Sequence, residues 1–367
     1  MDFTPTEGQL DLAALTAEVC AKLVTADRLR ELDTPGRFDE PLWQALAETG
    51  ILSATLPEEA GGNGLGPLEE FAVLRELGKA VAAVPYLWSV VVGADTLARS
   101  GSPEQRELAR RAGAGADILT AALAEEFNYR PEAPATAATE SADGWRLNGA
   151  KITVPYADRA ARLLVSAQAG GSPAVFLVDP AAEGVRVTPQ QVVDLSAEAI
   201  VEFTDAPAEL VGSPADGSAV LERLLTRAWF GLSALQLGTL ERALDLVAGY
   251  AREREQFGKP IGSFQAVAQR LADAYIDVQG LRLAVTQAAW RLAEGLPAVE
   301  AVHTAKFWAA DAGHRVAHTV VHVHGGVGID RDHIVHNYFT AAKHNEFALG
   351  GATDHLRALG DLLADPA

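Results

Sequence analysis

The sequence predicts an α+β fold in three parts. These are an N-terminal helical domain over 1–115, a small middle β-barrel or sandwich domain over 116–212, and a C-terminal four-helix bundle domain over 213–367. Three observations carry this. A chain of 367 residues with 49% hydrophobic and 22% charged residues is too long for one ordinary core and apolar enough to build several. Its hydrophobic period changes twice, from helical spacing to short strand-like runs and back. Glycine and proline clusters fall at those changes and between the later helices.

From Leu10 to about Ala112, apolar residues recur every three or four positions in LDLAALTAEVCAKLV, EPLWQALAETGIL and PLEEFAVLRELGKAVA, the pattern of packed amphipathic helices. The lone Cys20 lies in this pattern, so no internal disulfide is possible and a core or surface thiol is expected. The stretch LPEEAGGNGLGP (56–67) carries Gly61, Gly62, Gly64 and Gly66, which prevent regular helix and read as a loop. From about Ala116 to Val211 the runs ILTAALAE, WRLNG, KITVPY, RLLVSAQ, AVFLVD, VRVTPQ and AIVEFTD read as strands, with Asp143-Gly144 as a hairpin signal. Pro131 and Pro134 predict a mobile excursion inside this part. After Gly217 the helical period returns, with breaks at GKPIGSFQ, EGLPAVEA and HGGVGIDRDH, giving long helices near 219–254, 263–294, 297–324 and 332–362.

Charge narrows the function. The 30 Lys+Arg and 49 Asp+Glu give a formal charge of -19, which repels nucleic acid phosphates and anionic lipid and argues against both as partners. MDFTPTEGQL has no basic stretch leading into an apolar one, and no apolar run approaches the roughly 18 residues of a membrane span. A cytoplasmic location is expected.

The break in AREREQFGKPIGSFQAVAQRLAD (251–273) is the first candidate site. A helix ends at Arg252 and Arg254, the glycine after Phe257 lets the chain turn, and Ser263 is placed to cap the next helix. A guanidinium beside an aromatic ring suits a diphosphate and an adenine, but on spacing alone a plain helix hairpin with its arginines paired to Glu253 and Glu255 is the preferred reading. The turn VHVHGGVG (321–328) would let a backbone approach a ligand closely, and is also a simple loop signal. A metal site is a further possibility. All nine histidines fall between His303 and His355, and His314, His318 and His322 share a helical face, although HRVAH lacks the glutamate of HExxH and no Cys or Asp completes a ligand set. No metal is therefore expected, and surface or interface histidines are the simpler reading.

Together, EREQFGKPIGSFQAVAQRLADA, the HGGVG turn, the LPEEAGGNG loop and the order of helical, β and helical parts resemble the acyl-CoA dehydrogenases over nearly the whole chain. The resemblance implies a tetramer with FAD between β domain and bundle, the ADP half of each FAD being held by a neighbouring subunit. It implies that Arg254, Gln256, Phe257, Phe264 and Gln265 contact the diphosphate and adenosine of a neighbour's FAD, and that His322, Gly325 and Gly326 complete this half-site, His322 standing where the family often has glutamine. The reaction implied is α,β-desaturation of an acyl-CoA thioester, which needs a carboxylate base.

That base is where the chain departs from the family. Counting from GGVG through AAKHNEFALGG places Leu349 at the family's usual glutamate, and the alternative position, ten residues before the glycine of GTLERALD, is Ala228. No catalytic residue is therefore assigned. In the β domain, Thr153, Val154 and Pro155 stand where the family sets an aromatic residue and a hydroxyl against the flavin, and ALAEEFNYRPEAP replaces its usual loop. A retained ADP half beside an erased ring half resembles the non-catalytic subunit of actinobacterial heteromeric α2β2 acyl-CoA dehydrogenases. There a paralogous chain would supply the base and most ring and acyl-CoA contacts, and steroid side-chain CoA thioesters are prominent substrates. An electron-transfer flavoprotein is the implied acceptor. The competing readings are a self-sufficient homotetramer with a relocated base, Glu346 or Glu241, with Glu222 also near Ala228, and a non-enzymatic scaffold or metal-binding protein.

Overall fold

The computed structural model describes residues 3–364. In chain order, its helices are α1 (Glu7–Leu23), α2 (Ala26–Glu31), α3 (Glu40–Glu48), α4 (Pro67–Lys79), α5 (Asp95–Ser100) and α6 (Pro103–Gly113), then, after the strands, α7 (Gly217–Glu253), α8 (Gln265–Ala293), α9 (Val299–His324), α10 (Val335–Phe347) and α11 (Ala352–Ala364). The strands are β1 (Leu119–Ala122), β2 (Ala137–Ser141), β3 (Gly144–Pro155), β4 (Arg162–Ala169), β5 (Ser172–Val178), β6 (Val185–Gln190) and β7 (Glu198–Leu210), with the short pair β8 (Glu255–Gln256) and β9 (Lys259–Pro260) between α7 and α8. The α+β class and the succession of N-terminal helices, β-barrel and C-terminal helices follow the sequence expectation. None of the described helices is long and apolar enough to cross a membrane.

Two compact units form. One comprises Met1–Leu32, Pro67–Ala82 and Trp229–Ala367. Here α1, α2 and α4 join the bundle, while α3, α5 and α6 belong to the other unit. Helix α1 starts on a capping box in which Thr6 and Gln9 satisfy each other's backbone N–H groups, and the Gln9 side chain reaches Glu69 at 3.0 Å. Cys20 is buried on this helix. Helices α4 and α7 approach through glycine: a Cβ on Gly238 would lie 1.9 Å from the Arg75 carbonyl oxygen, and one on Gly78 2.2 Å from that of Leu235. The buried Gln236 ties α7 to two further helices, its Nε2 donating to the carbonyls of Ala309 and Ala342 while its Oε1 accepts from Asn345. A fully satisfied buried amide fixes the register of these helices.

The sequence places one helix over 332–362, and here the structure differs. The chain forms α10 and α11, broken at Ala348–Gly351, where Leu349 has φ 51° and Gly350 φ 106°. Two successive positive φ values end the hydrogen-bond ladder.

The other unit comprises Asp33–Gly66 and Ala83–Ala228. Its sheet closes: β4 pairs β2, β2 pairs β3, β3 pairs β7, β7 pairs β5 and β5 returns to β4, with β1 added on β4 and β6 on β7. The barrel is filled by Leu147, Val165, Phe176, Val201 and Phe203. The runs WRLNG and KITVPY are one strand, β3, rather than two, because register shifts at Leu147/Gly149 and Lys151/Val154 absorb the irregularity. The hairpin signal is displaced by one residue: Ser141 pairs Gly144, so Ala142 and Asp143 form the turn.

The segment holding Pro131 and Pro134 is tied down rather than free. Glu125 accepts hydrogen bonds from the Ala135 and Thr136 amides, the Thr136 hydroxyl and the Asn128 side chain, and pairs with the fully buried Lys151 at 2.7 Å. Burial alone would raise the Glu125 pKa; the Lys151 charge and these donors bring it down to about 2. Within the N-terminal helical region, Tyr86–Ala94 is a π-helix, buried almost throughout. Its apolar run gives no sign of the wider turn.

Candidate cofactor half-site and the base turn

Helix α7 ends where Arg254 donates its N–H to the Tyr250 carbonyl at 2.8 Å. The chain then makes the hairpin β8–β9, with Phe257 at φ 55° and Gly258 at φ 77° as the central residues. Positive φ at both positions is the geometry that usually calls for Asn-Gly, so phenylalanine is held there in a disfavoured conformation. It is 92% exposed, its ring edge-on to Phe264 at 6.0 Å. Lys259 Nζ sits 4.4 Å above the other aromatic ring, that of Phe264.

Arg254 is exposed and makes no side-chain ion pair or hydrogen bond among the described residues, while Arg252 donates to the Ala248 carbonyl at 3.1 Å. The paired-arginine alternative with Glu253 and Glu255 is not what forms. Ser263 does not cap α8 either: its hydroxyl turns back to the Pro260 carbonyl at 2.7 Å, and Phe264 holds the cap position with no side-chain bond. Gln256 and Gln265 are exposed beside this hairpin.

Helix α9 ends at His324. Gly325, at φ 65°, donates its N–H to the carbonyls of Val321 and His322, and no atom stands within 4 Å of where a Cβ on Gly325 or Gly326 would be. His322 is exposed on the last turn. The buried His324 ring stacks on Tyr250, centroids 4.5 Å apart, so the ends of α7 and α9 meet. All eight residues named from the resemblance therefore lie at one end of this unit. Two helix C-termini point there, each equivalent to about half a negative charge. Against these carbonyl ends stand the N-terminus of α8, which begins at Gln265 with no side-chain cap, and the unpaired Arg254 guanidinium, both favourable to an anion.

The turn at Ala348–Gly351, where the resemblance sets the base, is built with care and carries a hydrocarbon. Trp229 Nε1 donates to the Leu349 carbonyl at 2.9 Å, and His355 Nε2 lies 3.3 Å from the same oxygen. The fully buried Lys306 donates to the carbonyls of Asn345, Glu346 and Gly350 at 3.1, 3.3 and 2.9 Å. Trp229 packs on His303 and His355, whose Nδ1 atoms are 2.8 Å apart. Burial pushes Lys306 down to about 7, partly offset by Glu346 and Asp354. Burial, Lys306 and His303 together push His355 down to about 2, which favours its neutral form. Sequence reasoning missed this cluster. One signal was available, because Lys306 falls in phase with the apolar positions Val302, Ala309 and Gly313 of α9.

The substitute carboxylates are already engaged. Glu346 is bonded by Lys343 at 2.5 Å and lies 3.1 Å from His314 Nδ1; Glu241 takes Arg75 at 2.7 Å and Arg282 at 2.8 Å. Glu222 is exposed, and Ala228 is fully buried. Both carboxylates are occupied by ion pairs within the chain rather than presented to a ligand. No group of His, Cys, Asp or Glu with the makings of a metal site exists among the described residues, and His314 is spent on Glu346 and Lys343.

In the β-barrel unit, the positions that would face a flavin ring offer little. Thr153, at φ 47°, has its N–H taken by Gln190 Oε1 at 2.9 Å. Pro155 has neither N–H nor hydroxyl, and its carbonyl accepts from Thr120 at 2.5 Å.

N-terminal helices, a β-barrel and a C-terminal bundle in this order, with a cationic aromatic hairpin meeting a glycine turn, define a dehydrogenase-type chain. It belongs to the acyl-CoA dehydrogenase family. The family's C-terminal domain matches residues 215–360 and its N-terminal domain residues 6–112. The chain is 50% identical over 375 residues to acyl-CoA dehydrogenase FadE27 of Mycobacterium tuberculosis, covering 100% of this chain and 99% of that one. Among solved structures it is similar to a chain of the ChsE4-ChsE5 complex from Mycobacterium tuberculosis, with TM-score 0.95, 50% identity and full coverage of both chains. It is also similar to a chain of a variant of the Tcur3481-Tcur3483 steroid ACAD, with TM-score 0.92, 40% identity and 98% of each chain covered.

Proposed function

We propose that this chain is the cofactor-sharing, non-catalytic subunit of a heteromeric FAD-dependent acyl-CoA dehydrogenase. In this reading it forms an α2β2 tetramer with a paralogous chain, and Arg254, Gln256, Phe257, Phe264, Gln265, His322, Gly325 and Gly326 hold the ADP half of the partner's FAD. When bound, FAD takes the β-hydride of the acyl group. This chain's own residues bind and orient the far end of that cofactor: Arg254 neutralises diphosphate charge, and Phe257 and Phe264 offer faces for an adenine. The partner supplies the carboxylate that removes the α-proton.

The observation that carries the reading is the base turn. Trp229, Lys306 and His355 hold its backbone, yet its side chain is Leu349, and hydrocarbon accepts no proton. The ring-facing positions support it, since Thr153 and Pro155 have no N–H to spare. That similar chains belong to the ChsE4-ChsE5 complex and to the Tcur3481-Tcur3483 steroid ACAD supports the pairing and a steroid side-chain CoA thioester as substrate. A cytoplasmic location and an electron-transfer flavoprotein as acceptor go with this reading.

Replacing Arg254 with Ala in the complex should strip most FAD from it, because the diphosphate then loses the unpaired guanidinium that offsets the carbonyl ends of two helices. Flavin content equal to that of the unmodified complex would refute the assignment of the half-site. A self-sufficient chain with Glu346 or Glu241 as base is disfavoured by their ion pairs. Glu346→Gln and Glu241→Gln should leave turnover of the complex within about twofold, as expected of structural carboxylates.

A further inference from the structure

The half-site has two halves of its own, the hairpin after α7 and the glycine turn after α9. Among the described residues no hydrogen bond joins 254–265 to 322–328. A ring stack joins the helix ends that carry them. Tyr250 lies one turn before Arg254 and its carbonyl accepts the Arg254 N–H, while His324 immediately precedes Gly325. The two rings are 4.5 Å apart and inclined by 23°.

His324 is fixed on every side. It is 5% exposed, and its Nδ1 donates to the Val320 carbonyl at 2.7 Å, which sets the plane of the ring. The His333 ring lies 5.4 Å beyond it, and His333 Nδ1 accepts the Val335 N–H. The chain after the glycine pair folds back so tightly that a Cβ on Gly328 would lie 2.7 Å from the Val321 carbonyl oxygen and 3.0 Å from His324 Cβ. The glycine turn is thus packed on His324, and His324 on Tyr250.

We infer that Tyr250 and His324 are positioning residues that set the separation of Arg254 from Gly325–Gly326, and hence the affinity for the adenylate end of FAD. The inference rests on the reading that this end of the bundle takes the ADP half of the cofactor. Neither residue needs to touch the ligand. A diphosphate gripped from two segments loses affinity when they drift by about an ångström, since orientation errors of that size are costly. Aromatic pairs of this kind contribute enough for an effect of about tenfold.

The complex recovered from the native cell, stripped of flavin, is titrated with FAD and with FMN, which lacks the adenylate. Tyr250→Leu and His324→Leu should each weaken FAD binding about tenfold and leave FMN binding unchanged, while Tyr250→Phe, which keeps the stacked ring, should retain FAD affinity. FAD affinity of the leucine variants within twofold of the unmodified complex would overturn the inference, as would FMN and FAD affinities falling together, which marks general loss of structure. Arg254→Ala, run alongside, separates the two levels. If it strips FAD while the leucine variants do not, the positioning role alone fails; if it strips nothing, the half-site itself is misassigned.

Discussion

At the scale of single residues, the most telling is Lys306, a lysine with no exposure whose ammonium caps three carbonyls around the base turn. Its pKa in the folded chain is about 7 against about 10.4 for a free lysine, so between those values the unfolded chain binds more protons. Unfolding free energy therefore rises with pH across this window, by up to about 1.4 kcal/mol per unit for one group. Lys151, brought by burial to about 8, adds a second contribution that begins one unit higher. Tyr156 acts oppositely: burial raises its pKa, so above about pH 10 its unfolded phenol ionises first and stability falls. The urea midpoint should climb from pH 7 to about 9.5. In Lys306→Met the climb between pH 7 and 8 should vanish, leaving the part above pH 8. At pH 9 this variant should also be less stable by about 2–3 kcal/mol, because carbonyls that lysine served are left unsatisfied. An unchanged slope below pH 8 would mean that Lys306 is not the group that titrates.

At the scale of elements, close approach of α4 and α7 sets the geometry of the bundle unit. With a backbone oxygen 1.9 Å from where a Cβ on Gly238 would be, Gly238→Ala must drive the helices apart. It should cost roughly 3 kcal/mol, the upper end for overpacking, read as a lowered melting temperature. Gly249→Ala, which meets nothing within 4 Å, should not lower it. These same elements show what was legible in the sequence. Helices α7, α8 and α9 were found within a few residues because apolar period and glycine breaks agree. The α10–α11 break was not, since FALGGATDHL keeps helical phase across it while side chains distant in sequence, Trp229 and Lys306, bond the turn in which Leu349 has positive φ. Ser263 read as a cap because its position is right, but the 3₁₀ turn at Ile261–Ser263 gave its hydroxyl a nearer acceptor. The residues proposed for the half-site rest on the family resemblance, and the structure adds only that they share one end of the bundle unit. The supporting Tyr250, His324, Lys306 and His355 were not legible, because burying a polar ring or an ammonium depends on partners far away in sequence.

At the scale of the whole molecule, the chain combines a formal charge of -19 with a spare guanidinium at one end of its bundle. An exposed Phe257 at positive φ stands beside it. A side chain in such a conformation persists only when its surroundings dictate it, and it projects outward rather than into the chain's own core. With Leu349 at the position the resemblance gives to the base, the proposal is that this chain has kept what serves another subunit's cofactor and lost what would serve its own. The chain purified alone should therefore carry no stoichiometric flavin and should not desaturate an acyl-CoA.

The central claim is tested most directly by the native mass and flavin-to-chain ratio of the complex that this chain, tagged, brings out of its own cell. The account predicts a tetramer of two copies of this chain and two of a paralogue, with one FAD per pair. A tetramer of this chain alone holding one FAD per copy would contradict it.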